Sequence, residues 1–378
     1  MANQFEEFNN QKTVKTEEIL FEKASREIRD NGYRFHQQAH DKEGRDPKVY
    51  HISEHPRALE SRAEQMADTF HLSSEQRETV KMAVAWHDTV IEYDKADPDN
   101  LLAMIRRHRG ARQGDKPNGF EGNEGRSARL LEQEMRQANE RARQEIFTEE
   151  QISIAVWAVD ATYPDVGLGS DFKGAKFKEY PYYEIAIAQN PNIGALFEEL
   201  EAEGISKGPL FLQPHLEIPL EEGQKVPKEV LIVALSDLGG VGIIGKDLFF
   251  KEGDDEMREL YGNLRRSDIM QRLIKGDEEQ DRADREKVTT AFLGWAQSQS
   301  GFAAWQALRF EKILYLLKKQ NDINMEEEQK LRSQFSHFED NVRASHERVK
   351  ELKSKFEETK STFGEKAAFL YLAREMHY

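Results

Sequence analysis

Proline is absent from the last 151 residues of this 378-residue chain, because the final one is Pro227. A proline inside a helix removes a backbone hydrogen bond and clashes with the preceding turn, so its absence over such a length favours helices. Apolar residues recur at helical spacing in most of the chain, with no series of alternating strands and no long repeat. The sequence therefore predicts an all-α protein.

Composition divides this helical chain into parts. Residues 163–225 have an irregular pattern and hold most of the prolines, whereas 276–285 is a short run of charged residues. We expect a helical domain over residues 1–275, with 163–225 as an irregular insertion, and a helical region over residues 276–378. Hydrophobic spacing predicts helices over 15–42, 56–71, 127–143, 152–160 and 227–238, one that starts after Ser73-Ser74 and ends in the run 82–88, and short ones around 182–189 and 194–202.

The segment 324–360 is highly charged and carries only a thin apolar stripe. This pattern is typical of a helix whose polar faces are solvated and whose stripe meets one partner. We expect a long helix that is either exposed or binds a partner, which would be another protein or a second copy of the chain. The stripe consists of Met325, Leu331, Phe335, Phe338, Val342 and Val349.

Charge and residue usage exclude several classes of protein. The chain has 54 basic and 70 acidic residues, a net charge of -16, so we expect no binding to nucleic acid. It has no cysteine, which excludes disulfides, thiolate zinc sites, iron–sulfur clusters and cysteine nucleophiles. No apolar run is long enough to cross a membrane and the N-terminal residues lack a secretory pattern, so we expect a cytoplasmic protein.

Histidine and aspartate occur together at one helix end. His87 and Asp88 close a nearly unbroken apolar helix, where an imidazole and a carboxylate are costly to bury unless they are paired or bind a metal. Two interpretations stay open: a hydrogen-bonded His–Asp pair that joins two helices, and a metal site. His55 lies in line with the apolar stripe of its own helix, which suits either a core residue or a ligand.

Two more apolar helices end in aspartate, at Asp160 and Asp237. Hydrophobic surroundings and the helix dipole both disfavour a carboxylate at these positions. Either residue would complete a ligand set with His55, His87 and Asp88. Imidazole and carboxylate ligands suit Mn, Fe, Co, Ni or Zn, and carboxylate-rich sites tolerate Mg. Spacing alone leaves the choice of aspartate open.

The order His … His-Asp … Asp on separate helices resembles the HD superfamily of metal-dependent phosphohydrolases, and most closely its group of predicted metal-dependent HD phosphohydrolases. The resemblance covers roughly residues 45–250 and leaves the C-terminal third unexplained. It is carried by four segments: Tyr50-His51-Ile-Ser-Glu-His55, Ala85-Trp86-His87-Asp88-Thr-Val, Asn123-Glu124-Gly-Arg-Ser127-Ala128 and Ala234-Leu-Ser-Asp237-Leu-Gly.

The resemblance implies an HD-type helical bundle with a helical C-terminal extension. It implies one divalent metal ion (Mn, Mg, Fe, Co, Ni or Zn) held by His55, His87, Asp88 and Asp237, and so favours Asp237 over Asp160. It also implies that a metal-activated water hydrolyses a phosphate ester or a nucleotide, so the expected partner is a small phosphorylated substrate.

Further residues are candidates for the chemistry. Asp88 would have a second role in orienting the attacking water, assisted by Glu92 or Glu124. The plainer interpretations are a solvated helix end for Glu92 and a helix-capping carboxylate for Glu124. The candidates for holding the substrate are His51, Arg106 and Lys173.

Two alternatives keep the same fold. A di-iron oxygenase would need additional ligands, for which His51, Glu124 and Asp160 are available. A regulatory or scaffold protein would bind a ligand in the same pocket without turnover and a partner through segment 324–360. The number of metal ions separates the first alternative from a phosphohydrolase, and turnover separates the second.

Overall fold

The computed structural model describes residues 2–94, 97, 99–105, 107–110, 121–163, 165–166, 175–180, 182–203, 207–208, 211–212, 225–320 and 322–378. Over these residues the chain is all-α, as the spacing of apolar residues predicts. The only pairings of strands among them are two antiparallel ladders of two residues each. None of the described helices is both long and apolar enough to cross a membrane.

The helices are α1 (Ala2–His40), α2 (Glu54–Thr69), α3 (Ser74–Trp86), α4 (Asn123–Ala142), α5 (Glu149–Asp160), α6 (Tyr183–Gln189), α7 (Pro191–Ala202), α8 (Lys228–Asp237), α9 (Lys246–Leu260), α10 (Ser267–Lys275), α11 (Glu279–Lys319), α12 (Met325–Gln334), α13 (Phe338–Phe363) and α14 (Glu365–Glu375). Short 3₁₀ turns cover Phe177–Glu179 and Gly240–Gly242. The strands are β1 (Asp165–Val166), β2 (Ala175–Lys176), β3 (Lys207–Gly208) and β4 (Phe211–Leu212), with β1 paired to β4 and β2 to β3.

Helix α3 is the centre of the N-terminal bundle. It packs against α1, α2, α4, α5 and α8. Its last five residues, Met82 to Trp86, are all buried, and a helix that is apolar on every side must be surrounded in this way. Its start is fixed by a capping box. The Ser73 hydroxyl accepts a hydrogen bond from the Gln76 backbone N–H, and the Gln76 side-chain oxygen accepts one from the Ser73 backbone N–H. His87, the residue that follows the helix, therefore lies in the core.

Helix α11 is continuous over 41 residues. It begins within the charged run 276–285, which predicts a boundary between the two regions of the chain. Its second half, including Ala303, Ala304 and Leu308, belongs to the same apolar core as the N-terminal bundle. Its first half, with Val288 and Phe292, belongs to a second core that it shares with α13 and α14. One helix therefore links the two cores.

The segment 324–360 corrects the expectation of a single long helix. It forms α12 and α13, which are separated by a break after Gln334. Its stripe is buried at Leu331, Phe335 and Val342, which are at most 4 % exposed, whereas Met325 is 86 % exposed. Most of the stripe is covered, but the surface that covers it on α13 is helix α11 of the same chain. Periodicity predicts that a face is covered without saying what covers it.

Replacing Phe335 with alanine is expected to lower the free energy of unfolding by about 3–5 kcal/mol. The Phe335 ring lies in the core, 4.5 Å from the centroid of Phe310 and 6.0 Å from that of Phe338. The matched control is Phe363→Ala, because Phe363 is 75 % exposed and its loss should change stability by less than about 0.5 kcal/mol. Urea unfolding of the two variants measures the difference, and equal stabilities would contradict the packing described for α12 and α13.

Candidate metal centre

Three helix ends meet at a group of side chains that can hold a metal ion. His55 is the second residue of α2, His87 follows α3, and Asp237 ends α8. One ligand atom from each of the three lies within 4.8 Å of the other two. The two imidazole Nε2 atoms are 3.3 Å apart, and His55 Nε2 is 3.8 Å from Asp237 Oδ1. Of the two aspartates that end apolar helices, Asp237 is therefore the one in the group.

Asp88 lies beside this group. Its Oδ2 atom is 3.1 Å from His87 Nε2 and 3.7 Å from His55 Nε2. The carboxylate is buried, and its other oxygen, Oδ1, accepts a hydrogen bond from the guanidinium of Arg107. Asp88 therefore faces both histidines with one oxygen and is anchored by the other.

A backbone contact orients His87. Its Nδ1 atom lies 2.7 Å from the Val84 carbonyl oxygen. Because a carbonyl only accepts, Nδ1 carries the proton, and the lone pair of Nε2 is directed toward His55, Asp88 and Asp237 in the uncharged ring. Such a hydrogen bond behind a ligating histidine fixes its tautomer, as metal ligation requires.

His51 and Glu259 form a buried pair on the other side of Asp88. His51 Nδ1 lies 2.7 Å from Glu259 Oε1, and His51 Nε2 lies 3.5 Å from Asp88 Oδ2. The second oxygen of Glu259 accepts from three consecutive backbone N–H groups, those of Val49, Tyr50 and His51, and Tyr93 donates its hydroxyl to Oε1. Glu259 thereby holds the loop before α2 and turns the His51 ring toward Asp88.

Glu124 is joined to the site through Arg107. Its Oε1 atom is 3.8 Å from the Arg107 Nη2 that binds Asp88, and its Oε2 accepts from the Gly110 backbone at 2.9 Å. Glu124 is 1 % exposed at the start of α4. Glu124, which belongs to the Asn-Glu segment singled out in the sequence, therefore supports Arg107, and Arg107 in turn binds Asp88.

The charges of the group favour a cation at its centre. Burial raises the pKa of Asp237 to about 6, with the charge of Asp88 acting in the same direction. Burial alone would lower the pKa of His87, but the carboxylates of Asp88 and Asp237 outweigh it and raise that pKa to about 9. Burial and the neighbouring His87 lower the pKa of His55. The two carboxylates thus favour the protonated, positively charged form of His87. A metal ion bound here would replace that proton and neutralise the carboxylates instead.

Metal affinity is expected to rise with pH for this reason. A metal ion that binds His87 must displace the proton held below a pKa of about 9. The Kd for Mn²⁺ should therefore fall about tenfold per pH unit between about pH 7 and pH 8.5, because one proton leaves for each ion bound. Below the Asp237 pKa of about 6 the dependence should steepen. Isothermal titration at several pH values measures it, and a Kd that stays constant over this range would contradict the ligation of His87.

The structure does not bring every candidate to the group. Glu92 is about half exposed and pairs with Arg126 at 2.6 Å, a contact that lowers the pKa of Glu92. Arg106 and Lys173 lie outside the described residues. Sequence reasoning also missed the roles of Arg107 and Glu259. Arg107 follows Arg106, a candidate for holding the substrate, and nothing in the sequence around Arg107 or Glu259 marks them as partners of Asp88 and His51.

The comparisons with known proteins return no match. No protein-family model matches the chain, and neither a curated protein nor a solved structure does so.

Proposed function

We propose that this protein is a metal-dependent phosphohydrolase of the HD type, which hydrolyses a small phosphate ester or nucleotide. The observation that carries the proposal is the group His55, His87 and Asp237, whose ligand atoms lie within 4.8 Å of one another. Asp88, the second half of the His-Asp pair, faces both histidines from the side. The same four residues are those that the resemblance to the HD superfamily implies as ligands.

His55, His87, Asp88 and Asp237 would hold one divalent cation. The donor set of two imidazoles and two carboxylates suits Mn, Fe, Co, Ni or Zn, and Mg less well. When bound, such an ion supplies a water of lowered pKa and polarises a phosphoryl oxygen.

The protein's own groups would handle the protons. Asp88 Oδ2 faces the histidines and is placed to orient a water and accept its hydrogen bond. His51 donates from Nδ1 to Glu259, so in the uncharged ring its Nε2 carries a lone pair; that atom would accept the proton that the attacking water loses and pass it to the leaving oxygen. The bond from water oxygen to phosphorus forms as the bond from phosphorus to the leaving oxygen breaks.

The surroundings of Asp88 support one metal ion over two. A di-iron oxygenase would need a second ion close to the further carboxylates and histidines of the site. Arg107 already binds Asp88 Oδ1 and approaches Glu124, so its fixed positive charge occupies that side of Asp88. A guanidinium repels a second cation there, which favours hydrolysis over iron-dependent oxygenation.

Elemental analysis of the purified protein tests the proposal. We expect about one metal ion per chain in the wild type and loss of the ion in His87→Ala and Asp237→Asn. Asp160→Asn is the matched control, because Asp160 also ends a buried apolar helix and lies outside the metal group. Two ions per chain would indicate the oxygenase, and metal retained in both ligand variants would refute the site.

A panel of p-nitrophenyl phosphate, bis-p-nitrophenyl phosphate and nucleoside phosphates then tests the reaction. Phosphate release that requires added Mn²⁺ and disappears in His87→Ala supports hydrolysis. Metal bound without any turnover would favour the regulatory protein.

A further inference from the structure

One face of α11 carries buried polar atoms that have no hydrogen-bond partner among the described residues. Trp305, Gln306 and Arg309 are each at most 3 % exposed. Within the described part of the chain, the Trp305 Nε1, both polar atoms of the Gln306 amide, and the Arg309 Nε and Nη1 have no hydrogen-bond partner. The spacing of these residues places them on one side of the helix.

Such atoms are costly in a folded protein. A buried donor without a partner loses the hydrogen bonds of water and gains none, and a charged one costs more. Other buried arginines of this chain are paired: Arg285, on the same helix, donates from Nη1 to the carbonyls of Leu273 and Gly276. Arg62 donates from Nη2 to the carboxylate of Glu252 at 2.5 Å. Arg285 also has an unpartnered Nε, but Arg309 differs in that its terminal Nη1 is unpartnered as well, among the described residues, and is free to donate to a ligand.

Arg309 lies on the side of the metal group that Asp237 occupies. Burial lowers the pKa of Arg309 to about 10, and Tyr180 and then the carboxylate of Asp237 act in the opposite direction. The next residue, Phe310, stacks on Phe335, which in turn lies against Gly239, two residues beyond Asp237. The side chain of Asp237 is 14 % exposed, more than those of His55, His87 and Asp88. Asp237 is thus the most exposed of these four side chains and the one whose charge acts on Arg309.

A second cation follows on the same face. Lys312, one turn after Arg309, is 1 % exposed, and its Nζ lies 3.9 Å from the centre of the Tyr182 ring. Burial lowers the pKa of Lys312 to about 7. An anion bound nearby would favour its protonated form, so this lysine is suited to reinforce the binding of an anion.

We propose that Gln306, Arg309 and Lys312 form the subsite that holds the phosphate of the substrate beside the metal group. The proposal rests on the proposed function and adds its substrate class. The guanidinium and the ammonium bind the phosphate oxygens of a phosphomonoester dianion. The Gln306 amide, which offers a donor and an acceptor, binds a hydrogen-bonding group on the organic part.

Calorimetric titration of the Mn²⁺-loaded protein with inorganic phosphate tests the subsite. We expect Arg309→Met to weaken phosphate binding about tenfold or more and Lys312→Met to weaken it less, with metal content unchanged in both. Arg285→Met is the matched control, since it removes an equally buried arginine of the same helix that has backbone partners. Its phosphate affinity should equal that of the wild type.

Thermal unfolding separates a ligand-binding arginine from a structural one. Without phosphate, Arg309→Met should melt no lower than the wild type, because it removes an unpaired buried charge, whereas Arg285→Met should melt lower. Added phosphate should raise the Tm of the wild type and leave that of Arg309→Met unchanged. If Arg309→Met does not fold, Arg309→Lys is the substitute, since lysine keeps the positive charge but lacks the planar set of N–H donors with which a guanidinium binds phosphate.

The outcomes distinguish this proposal from the proposed function. Wild-type phosphate affinity in Arg309→Met overturns the subsite even if the metal site is correct. Absence of metal from the wild type overturns the phosphohydrolase, whereas phosphate binding that depends on Arg309 would still support an anion site at this face.

Discussion

The Asp88→Asn variant is expected to lose metal-dependent phosphate release by about a hundredfold or more. Asparagine keeps the shape of aspartate and removes the charge that faces His55 and His87 and orients the attacking water. Hydrolysis of p-nitrophenyl phosphate with added Mn²⁺ measures the loss. Asp94→Asn is the control, because Asp94 is about half exposed and pairs with His108. Wild-type activity in Asp88→Asn would contradict its role.

A double-variant cycle separates this chemical loss from a structural one. Asp88→Asn leaves the Arg107 guanidinium with Glu124 at 3.8 Å as its remaining acidic partner, and breaking a buried ion pair costs about 3–5 kcal/mol. Adding Arg107→Met removes the unpaired charge, so much of the stability should return while the activity should not. Activity that returned together with stability would mean that Asp88 acts only by holding Arg107.

Glu259→Ala is expected to lower the free energy of unfolding by about 3–5 kcal/mol. The carboxylate is fully buried and binds three backbone N–H groups, the His51 ring and the Tyr93 hydroxyl, all of which lose their acceptor in the variant. Urea unfolding measures the change. Glu256→Ala, one turn earlier on α9, is the control, because Glu256 is partly exposed and meets Arg109 only at 3.5 Å.

The contribution of Glu259 should also depend on pH. Burial would raise the pKa of Glu259, but His51, Tyr93 and the backbone donor of Tyr50 hold it well below its ordinary value of 4.5. A group with a lowered pKa stabilises the folded state above its unfolded pKa, and this stabilisation is lost as the pH falls through the folded pKa. The stability difference between wild type and Glu259→Ala should therefore be full at neutral pH and shrink in acid. A difference that grew toward low pH would contradict the pairing of Glu259.

The elements that carry the site were predictable because they depend on local pattern. The apolar runs before His87 and Asp237 predict buried helices that end at these residues, and α3 and α8 do so within two residues. Helix α4 begins at Asn123, four residues before the predicted start at Ser127, because the loop before it is held by the Glu124 carboxylate and the Gly110 backbone. A contact of this kind has no local signal.

The sequence by itself determined the all-α class and the helices whose buried ends carry His and Asp, because helical periodicity and the cost of burying a charge are properties of short segments. Only the tertiary structure decided which of those ends meet. It placed Asp237 in the metal group, joined His51 to Glu259 across 208 residues, bound Arg107 to Asp88, and covered the stripe of α12 and α13 with the same chain. These contacts depend on how whole helices pack against one another, and the spacing of residues along one helix does not specify its neighbours.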